Sequence, residues 1–162
     1  YTPSVFAMLP VLLERAGMTE EGSITGLYTV LVEGDDMNEP ISDAVRSILD
    51  GHVSLSRRLA SMNQYPAVDV LDSVSRLAPE VATEQEKELA AEVRRLIATY
   101  RESEDLINVG AYVKGSSAKI DRAIDKIDDL NALLRQGIME AVDHEQSVSN
   151  LQALLESPGG EK

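Results

Sequence analysis

Leu89, Val93, Leu96, Ile97, Tyr100 and Leu106 recur at intervals of three and four with charged residues between them. This spacing predicts one long amphipathic helix over residues 84–108. Ile120, Ile124, Ile127, Leu130, Leu133 and Leu134 repeat the stripe and predict a second helix, interrupted at Gln136-Gly137. Gly110 sits near the end of the first helix, and Lys114-Gly115-Ser116-Ser117 supplies a turn and cap ahead of the second. A last helix is expected from about residue 140 to residue 155, followed by a fraying tail, Ser157-Pro158-Gly159-Gly160.

The first half has a different period. Thr2-Pro3 offers a helix cap with proline at the first helical position, and Val5, Phe6, Leu9, Leu12 and Leu13 follow helical spacing to Gly17, with Pro10 set to kink the helix. From Ser23 the run ITGLYTVLV, residues 24–32, is apolar on both faces and predicts a buried strand. A polar loop, EGDDMNEP, comes next, and Ser42-Asp43 opens a short helix ending near Asp50-Gly51. Residues 52–55 read as a second strand and residues 57–62 as a helical turn. No hairpin turn joins the two β-like runs, so an antiparallel pair is not expected. Two strands do not complete a sheet, and the chain reads as cut from something larger. The boundary between the sheet-forming half and the all-helical half falls near residue 80.

Composition narrows the partners. With 43% hydrophobic residues the 162-residue chain is expected to fold. Its 28 acidic and 15 basic side chains leave a net charge of -13, which repels nucleic acid and favours basic partners. The longest apolar stretches, residues 5–13 and 27–32, are too short to span a bilayer, and no signal segment opens the chain, so a cytoplasmic protein is expected. Cysteine is absent, which removes disulfides and thiolate metal sites.

Few local motifs carry chemistry. No GxxxxGK[ST] occurs, and GSITG has neither the lysine nor the spacing to cradle phosphates, nor the arrangement of a nucleophile elbow; it reads as a strand start. His52 and His144 have no partner at metal-ligand spacing, the sequence DHE lies on an expected exposed helix face, and no metal site is predicted. The acidic loop of residues 35–39 lacks the alternating ligands of a calcium loop and reads alone as a turn. One stretch stands apart. QYPAVDVLDSVSR, residues 64–76, sets Tyr65 beside Pro66 at one end and Arg76 at the other. A tyrosine ring can stack on a base and an arginine can neutralise a transferring phosphoryl group, although core packing and surface solvation are open to the same residues.

The run GSITGLYTVLVEGDDMNEPISDAVRSILDGHVSLSRRLASMNQYPAVDVLDSVSR, residues 22–76, closely resembles the protein-export ATPases of the bacterial flagellum and their injectisome relatives, kin of the rotary ATP synthase catalytic subunits. The similarity extends through LINVGAYVKGSSAKIDRAID and LLRQGIMEAVDHEQS to near the C-terminus, and EGDDMNEPI is more flagellar in character than injectisome. The resemblance implies an α/β fold: a partial P-loop NTPase (RecA-like) core with few strands over residues 1–80, then an all-helical lobe over residues 81–162, predominantly helical taken together. It implies the C-terminal part of a larger ATP hydrolase, with the phosphate-binding loop, the catalytic glutamate and a magnesium-holding acidic strand end before Tyr1. ATP and Mg²⁺ are then cofactors of the parent, and none is expected tightly bound here, so this chain alone is expected to be inactive.

The same resemblance implies that Tyr65 and Pro66 lie against the adenine of the subunit's own nucleotide, and that Ile138 helps close that pocket. Arg76 matches the arginine finger that reaches the neighbouring subunit's nucleotide in trans. Asp35, Asp36 and Glu39 match a loop facing the central pore, where a coiled-coil stalk docks. Leu133 and Met139 stand where relatives often have phenylalanine, and ESED at residues 102–105 only loosely matches the stalk-pushing motif of the rotary enzymes. Implied partners are five further copies in a homohexamer, the stalk, a regulator, export-gate components and export chaperones, at the inner membrane beneath the flagellum. The alternatives are an injectisome ATPase and, in another class, a non-enzymatic helical docking module.

Overall fold

The computed structural model describes residues 2–157, the side chain of Asp35 excepted, so the predicted tail at Pro158-Gly159-Gly160 lies outside the described residues. Contacts divide the chain into two compact units that meet between His52 and Val53.

In the first unit, helix α1 (Pro3–Leu13) begins after an extended Thr2, with proline in the first turn, where its missing N–H costs nothing. Pro10 lies inside the helix, and its carbonyl accepts from Glu14 N at 2.9 Å. Helix α2 (Pro40–Ile48) packs on α1, burying Leu13 and Val45. Between them, β1 (Gly17–Thr19) and β2 (Gly22–Ile24) form an antiparallel hairpin with Thr19 opposite Gly22, so Glu20 and Glu21 make a two-residue turn. Its turn carries none of the usual Asn-Gly or Gly-Gly signals, and the hairpin is not among the elements expected from the sequence. Thr19 supplies what the turn residues do not: its Oγ1 donates to Gly22 O at 3.2 Å and accepts from Glu21 N at 3.3 Å.

The predicted strand at residues 24–32 is not formed beyond Ile24. A strand apolar on both faces needs a ladder partner and a layer on each side, and the described residues of this unit provide none, leaving Leu27 94% and Leu31 90% exposed. At Gly26 the Tyr28 ring folds back to within 2.6 Å of where a Cβ would stand, so a larger residue there would have to displace the ring.

β3 (Gly51–Leu55), whose last three residues open the second unit, and β4 (Val68–Ser75) form a two-stranded sheet, joined through helix α3 (Arg57–Ser61). A short helix α4 (Ala78–Val81) leads to α5 (Glu84–Asn108), whose bounds match the apolar stripe. A capping box opens α5: Thr83 Oγ1 accepts from Glu86 N at 3.3 Å, and Glu86 Oε2 accepts from Thr83 N at 2.7 Å. Gly110, at φ 69°, closes it, with Gly110 N donating to Ile107 O and Ala111 N to Leu106 O. Helix α6 (Ala118–Leu134) is not capped by the Ser117 side chain; Asp121 in its first turn holds the preceding turn instead, accepting from Gly115 N and Tyr112 OH, each at 2.9 Å.

Helix α7 (His144–Glu156) starts four residues later than expected, because Asp143 rather than Glu140 caps it, accepting from Gln146 N at 2.7 Å. Val93 and Leu96 of α5 meet Ala123 and Leu130 of α6 in the core, with Ile97, Tyr100, Leu151, Leu154 and Leu155 packed around them. Lys126, only 3% exposed, ties α6 to the end of α7 by donating to Leu154 O and Ser157 O, each at 2.6 Å, and to Ser157 Oγ at 2.7 Å. Its ammonium thereby meets the carbonyl end of a helix, where positive charge is favoured.

Asp69 is the polar counterpart of that core. Its carboxylate, at the second residue of β4 and 5% exposed, accepts from Arg101 of α5 at 2.9 and 3.0 Å and from the amides of Leu71 and Asp72. Asp69→Ala leaves a guanidinium and two amides without their acceptor and should destabilise the chain by about 3 kcal/mol. The loss is read as a lower urea midpoint at unchanged slope, and Asp69→Asn, which keeps an acceptor for the amides, should lose less.

Candidate functional site

The segment carrying Tyr65 is shaped by the end of α3. Asn63 takes a left-handed conformation, φ 59°, and Asn63 N and Gln64 N donate back to Ala60 O and Leu59 O, each at 3.0 Å. This reversal turns Gln64 inward, 7% exposed, and leaves Tyr65 52% exposed beside Pro66, across a cis peptide. The chain after α6 returns to the same place, where Gln136 N donates to Tyr65 O at 2.8 Å. A turn then presents Ile138 fully to solvent, held by Gly137 N to Glu140 Oε2 at 2.8 Å and Gln136 Nε2 to Glu140 O at 2.9 Å. The fold therefore brings Tyr65, Pro66 and the Ile138 turn to one end of the second unit. An exposed ring and an exposed aliphatic side chain there suit a flat, apolar-faced group such as a base. Gln64, Gln136 and Glu140, which hold this arrangement, went unread in the sequence because single amide and carboxylate side chains carry no periodic signal.

Arg76 is not brought to that end. It follows the last residue of β4, an eight-residue strand, so the length of the strand, roughly 23 Å, separates the two. Ser75 Oγ accepts from Ala78 N at 3.1 Å, bending the chain into α4 just past the exposed Arg76.

In the first unit, the acidic loop is a built turn. A 3₁₀ turn, Glu33–Asp35, holds Gly34 at φ 64°, and Asp36 Oδ1 accepts from Asn38 N at 2.9 Å. Glu39 precedes α2, its carbonyl accepting from Asp43 N. Arg46 braces the loop, donating to Met37 O at 2.7 Å and pairing with Asp43 at 3.5 Å.

Two family models match the chain. Residues 1–75 match the ATP synthase alpha/beta family, nucleotide-binding domain, and residues 82–153 match the T3SS EscN ATPase C-terminal domain. The flagellum-specific ATP synthase of Bacillus subtilis (strain 168) is 54% identical over 154 residues, covering 95% of this chain and 35% of that protein. The SPI-2 type 3 secretion system ATPase of Salmonella typhimurium (strain LT2) is 52% identical, covering 96% of this chain and 36% of that one. Among solved structures, the assembled ATPase EscN of the enteropathogenic E. coli type III secretion system superposes with a TM-score of 0.92 at 43% identity, over 96% of this chain and 38% of that one. EscN in complex with its central stalk EscO gives a TM-score of 0.85 at 41% identity, over 96% and 36% of the two chains. The chain thus spans about a third of the length of these relatives.

A shallow groove of about 300 Å³ lies elsewhere, lined by Thr83, Glu86, His144, Val148 and Gln152 where α5 and α7 begin. His144, expected to be merely solvated, bonds through Nε2 to Glu86 Oε1 at 2.5 Å. Thr83 amide and hydroxyl donors, with His144 adding to them, lower the Glu86 carboxyl from 4.5 to about 2. Because the folded value is depressed, the contribution of Glu86 to stability is present above about pH 4.5 and is lost as pH falls toward about 2. A side-chain NMR titration should place the Glu86 midpoint near the lower figure. Thr83→Ala, which removes the hydroxyl but keeps the backbone amide that contributes most, and His144→Ala should each raise it only part of the way.

Proposed function

The chain belongs to the flagellar and type III secretion ATPase family of the ATP synthase alpha/beta proteins, and on that premise we propose that it is the C-terminal part of an ATPase that energises flagellar protein export by hydrolysing ATP in a homohexameric ring. Residues 1–80 complete the nucleotide-binding core and residues 81–162 form the helical lobe. The observation that carries the reading is the placing of Tyr65 and Arg76 at opposite ends of one strand, exposed and too far apart to share one nucleotide. Tyr65, Pro66 and Ile138 take the base of the subunit's own ATP. Arg76 faces the neighbouring subunit's site, where its charge offsets that building on the phosphoryl oxygens as water attacks in line and ADP leaves.

The exposed ring and the Ile138 turn fit a base, while phosphate and magnesium binding fall to other parts of the protein on this reading. EGDDMNEPI favours the flagellar branch over the virulence branch. The protein works in the cytoplasm against the inner membrane at the flagellar base, with a regulator, export-gate components and export chaperones as further partners. Among the described residues, no helix is long and apolar enough to cross a membrane.

Arg76→Ala in the full-length protein should lower turnover by about 10³-fold, with nucleotide affinity far less affected. Mixed hexamers test the direction of action: a subunit lacking Arg76 keeps its own site active when its neighbour carries the arginine. A defect confined to the mutated subunit's own site overturns the assignment in trans.

Asp35, Asp36 and Glu39 face the pore and attract a basic coiled-coil stalk, six copies of the loop converging on the axis. Asp35→Asn with Asp36→Asn should slow stalk association and flatten its salt dependence while leaving basal hydrolysis by the hexamer intact. Stopped-flow association over a range of salt reads this out, and rates that do not respond to salt in either protein return the loop to an ordinary turn.

A further inference from the structure

Gln64 is buried beside Tyr65 and fixed at three points, two by its side chain and one by its backbone. Its amide nitrogen donates to Asn131 O at 3.1 Å, its amide oxygen accepts from Arg135 at 3.3 Å, and its backbone N–H closes the α3 reversal. Asn131 O is one of the last four carbonyls of α6, which have no partner within the helix. Arg135 N, which could have bonded to it, goes to Ala132 O instead. Gln64 therefore caps α6, and Arg135, the residue just past that helix, reaches back to grip Gln64. One residue further along each segment, Gln136 N donates to Tyr65 O. Two consecutive residues on each side are stitched together, one pair by side chains and the next by backbone.

We propose that Gln64 and Arg135 are positioning residues that hold the Tyr65 platform and the Ile138 turn in register, so that the end of helix α6 sets affinity for the base moiety of the nucleotide. The proposal rests on the base-binding role given to Tyr65 above. Neither residue touches the nucleotide; each acts on the spacing between the two sides of the pocket. The bonds are well suited to this work. An amide in a buried setting must satisfy both its donor and its acceptor, and only one docking of α6 against the 64–66 segment allows that. Movement of the helical lobe relative to β4 then breaks the stitching and opens the base site.

The test uses the full-length enzyme with two ligands, ATP and the base-free competitor tripolyphosphate. Gln64→Leu should raise the KM for ATP about tenfold, within the range set by losing a stacked base, with kcat nearly unchanged and the inhibition constant of tripolyphosphate unmoved. Arg135→Met, at an exposed position that does not threaten folding, should give the same pattern more weakly and serves if Gln64→Leu does not fold. A parallel rise for ATP and tripolyphosphate means general damage to the site and overturns the proposal, as does an unchanged KM in both variants. Tyr65→Ala separates the two levels of the argument. If it raises the KM for ATP while neither latch variant does, only the latch is wrong; if it leaves ATP and tripolyphosphate equally untouched, the base-site reading fails and takes the latch with it.

Discussion

The bond between Asp69 and Arg101 fixes where β4 lies on α5, and most of the second unit follows from that placement. A strand with only one partner has little to determine its position along a helix, and apolar contacts alone tolerate sliding. A carboxylate held by a guanidinium and by two amides of its own strand does not slide. Arg94 adds a weaker tie to Ser73 O at 3.4 Å, and Arg58 of α3 pairs with Glu104 of α5 at 3.6 Å. Helix α5 carries α6 through the Val93, Leu96, Ala123 and Leu130 core, and α6 returns to the 64–66 segment through Asn131 and Arg135. The path from β4 to α5 to α6 and back is closed. Each end of β4 is thus referred to the helices.

The helical lobe was legible because its signals are periodic and repeated. Six apolar positions with Gly110 near one end predict α5 over the bounds that the structure gives it, and the Thr83–Glu86 capping box, found only in the structure, agrees with them. The errors fall where one side chain decides the outcome. Thr19 supports a hairpin not among the elements expected from the sequence, and Asp143 moves the start of α7 away from about residue 140. The run at residues 24–32 shows a different limit. Its composition describes a strand buried on both faces, but composition cannot supply the neighbours that bury it, and Leu27 and Leu31 are left exposed.

The candidate site divides in the same way. Tyr65, Pro66 and Arg76 stand out by residue type and by resemblance, and the structure adds what holds them: the α3 reversal at Asn63, the Gln64 cap and the Gln136 bond. The Gln64 and Gln136 bonds are invisible to pattern reading because their partners lie some seventy positions away, Gln64 with Arg135 being 71 apart. Asp69 is the sharper case. In sequence it looks like a polar break in an apolar strand, and only the position of Arg101, 32 residues on, explains why a carboxylate belongs there.

The placement of the basic side chains also bears on what the surface can meet. Lys126 is buried against carbonyls, Arg101 is turned onto Asp69, Arg122 and Arg95 both grip Glu92, and Arg46 braces the acidic loop from behind. Each of these cations thus has a defined acceptor within the fold. With 28 acidic and 15 basic side chains the net charge of -13 still leaves carboxylates in excess. A like-charged surface discourages two such faces from packing unless a cation is brought between them.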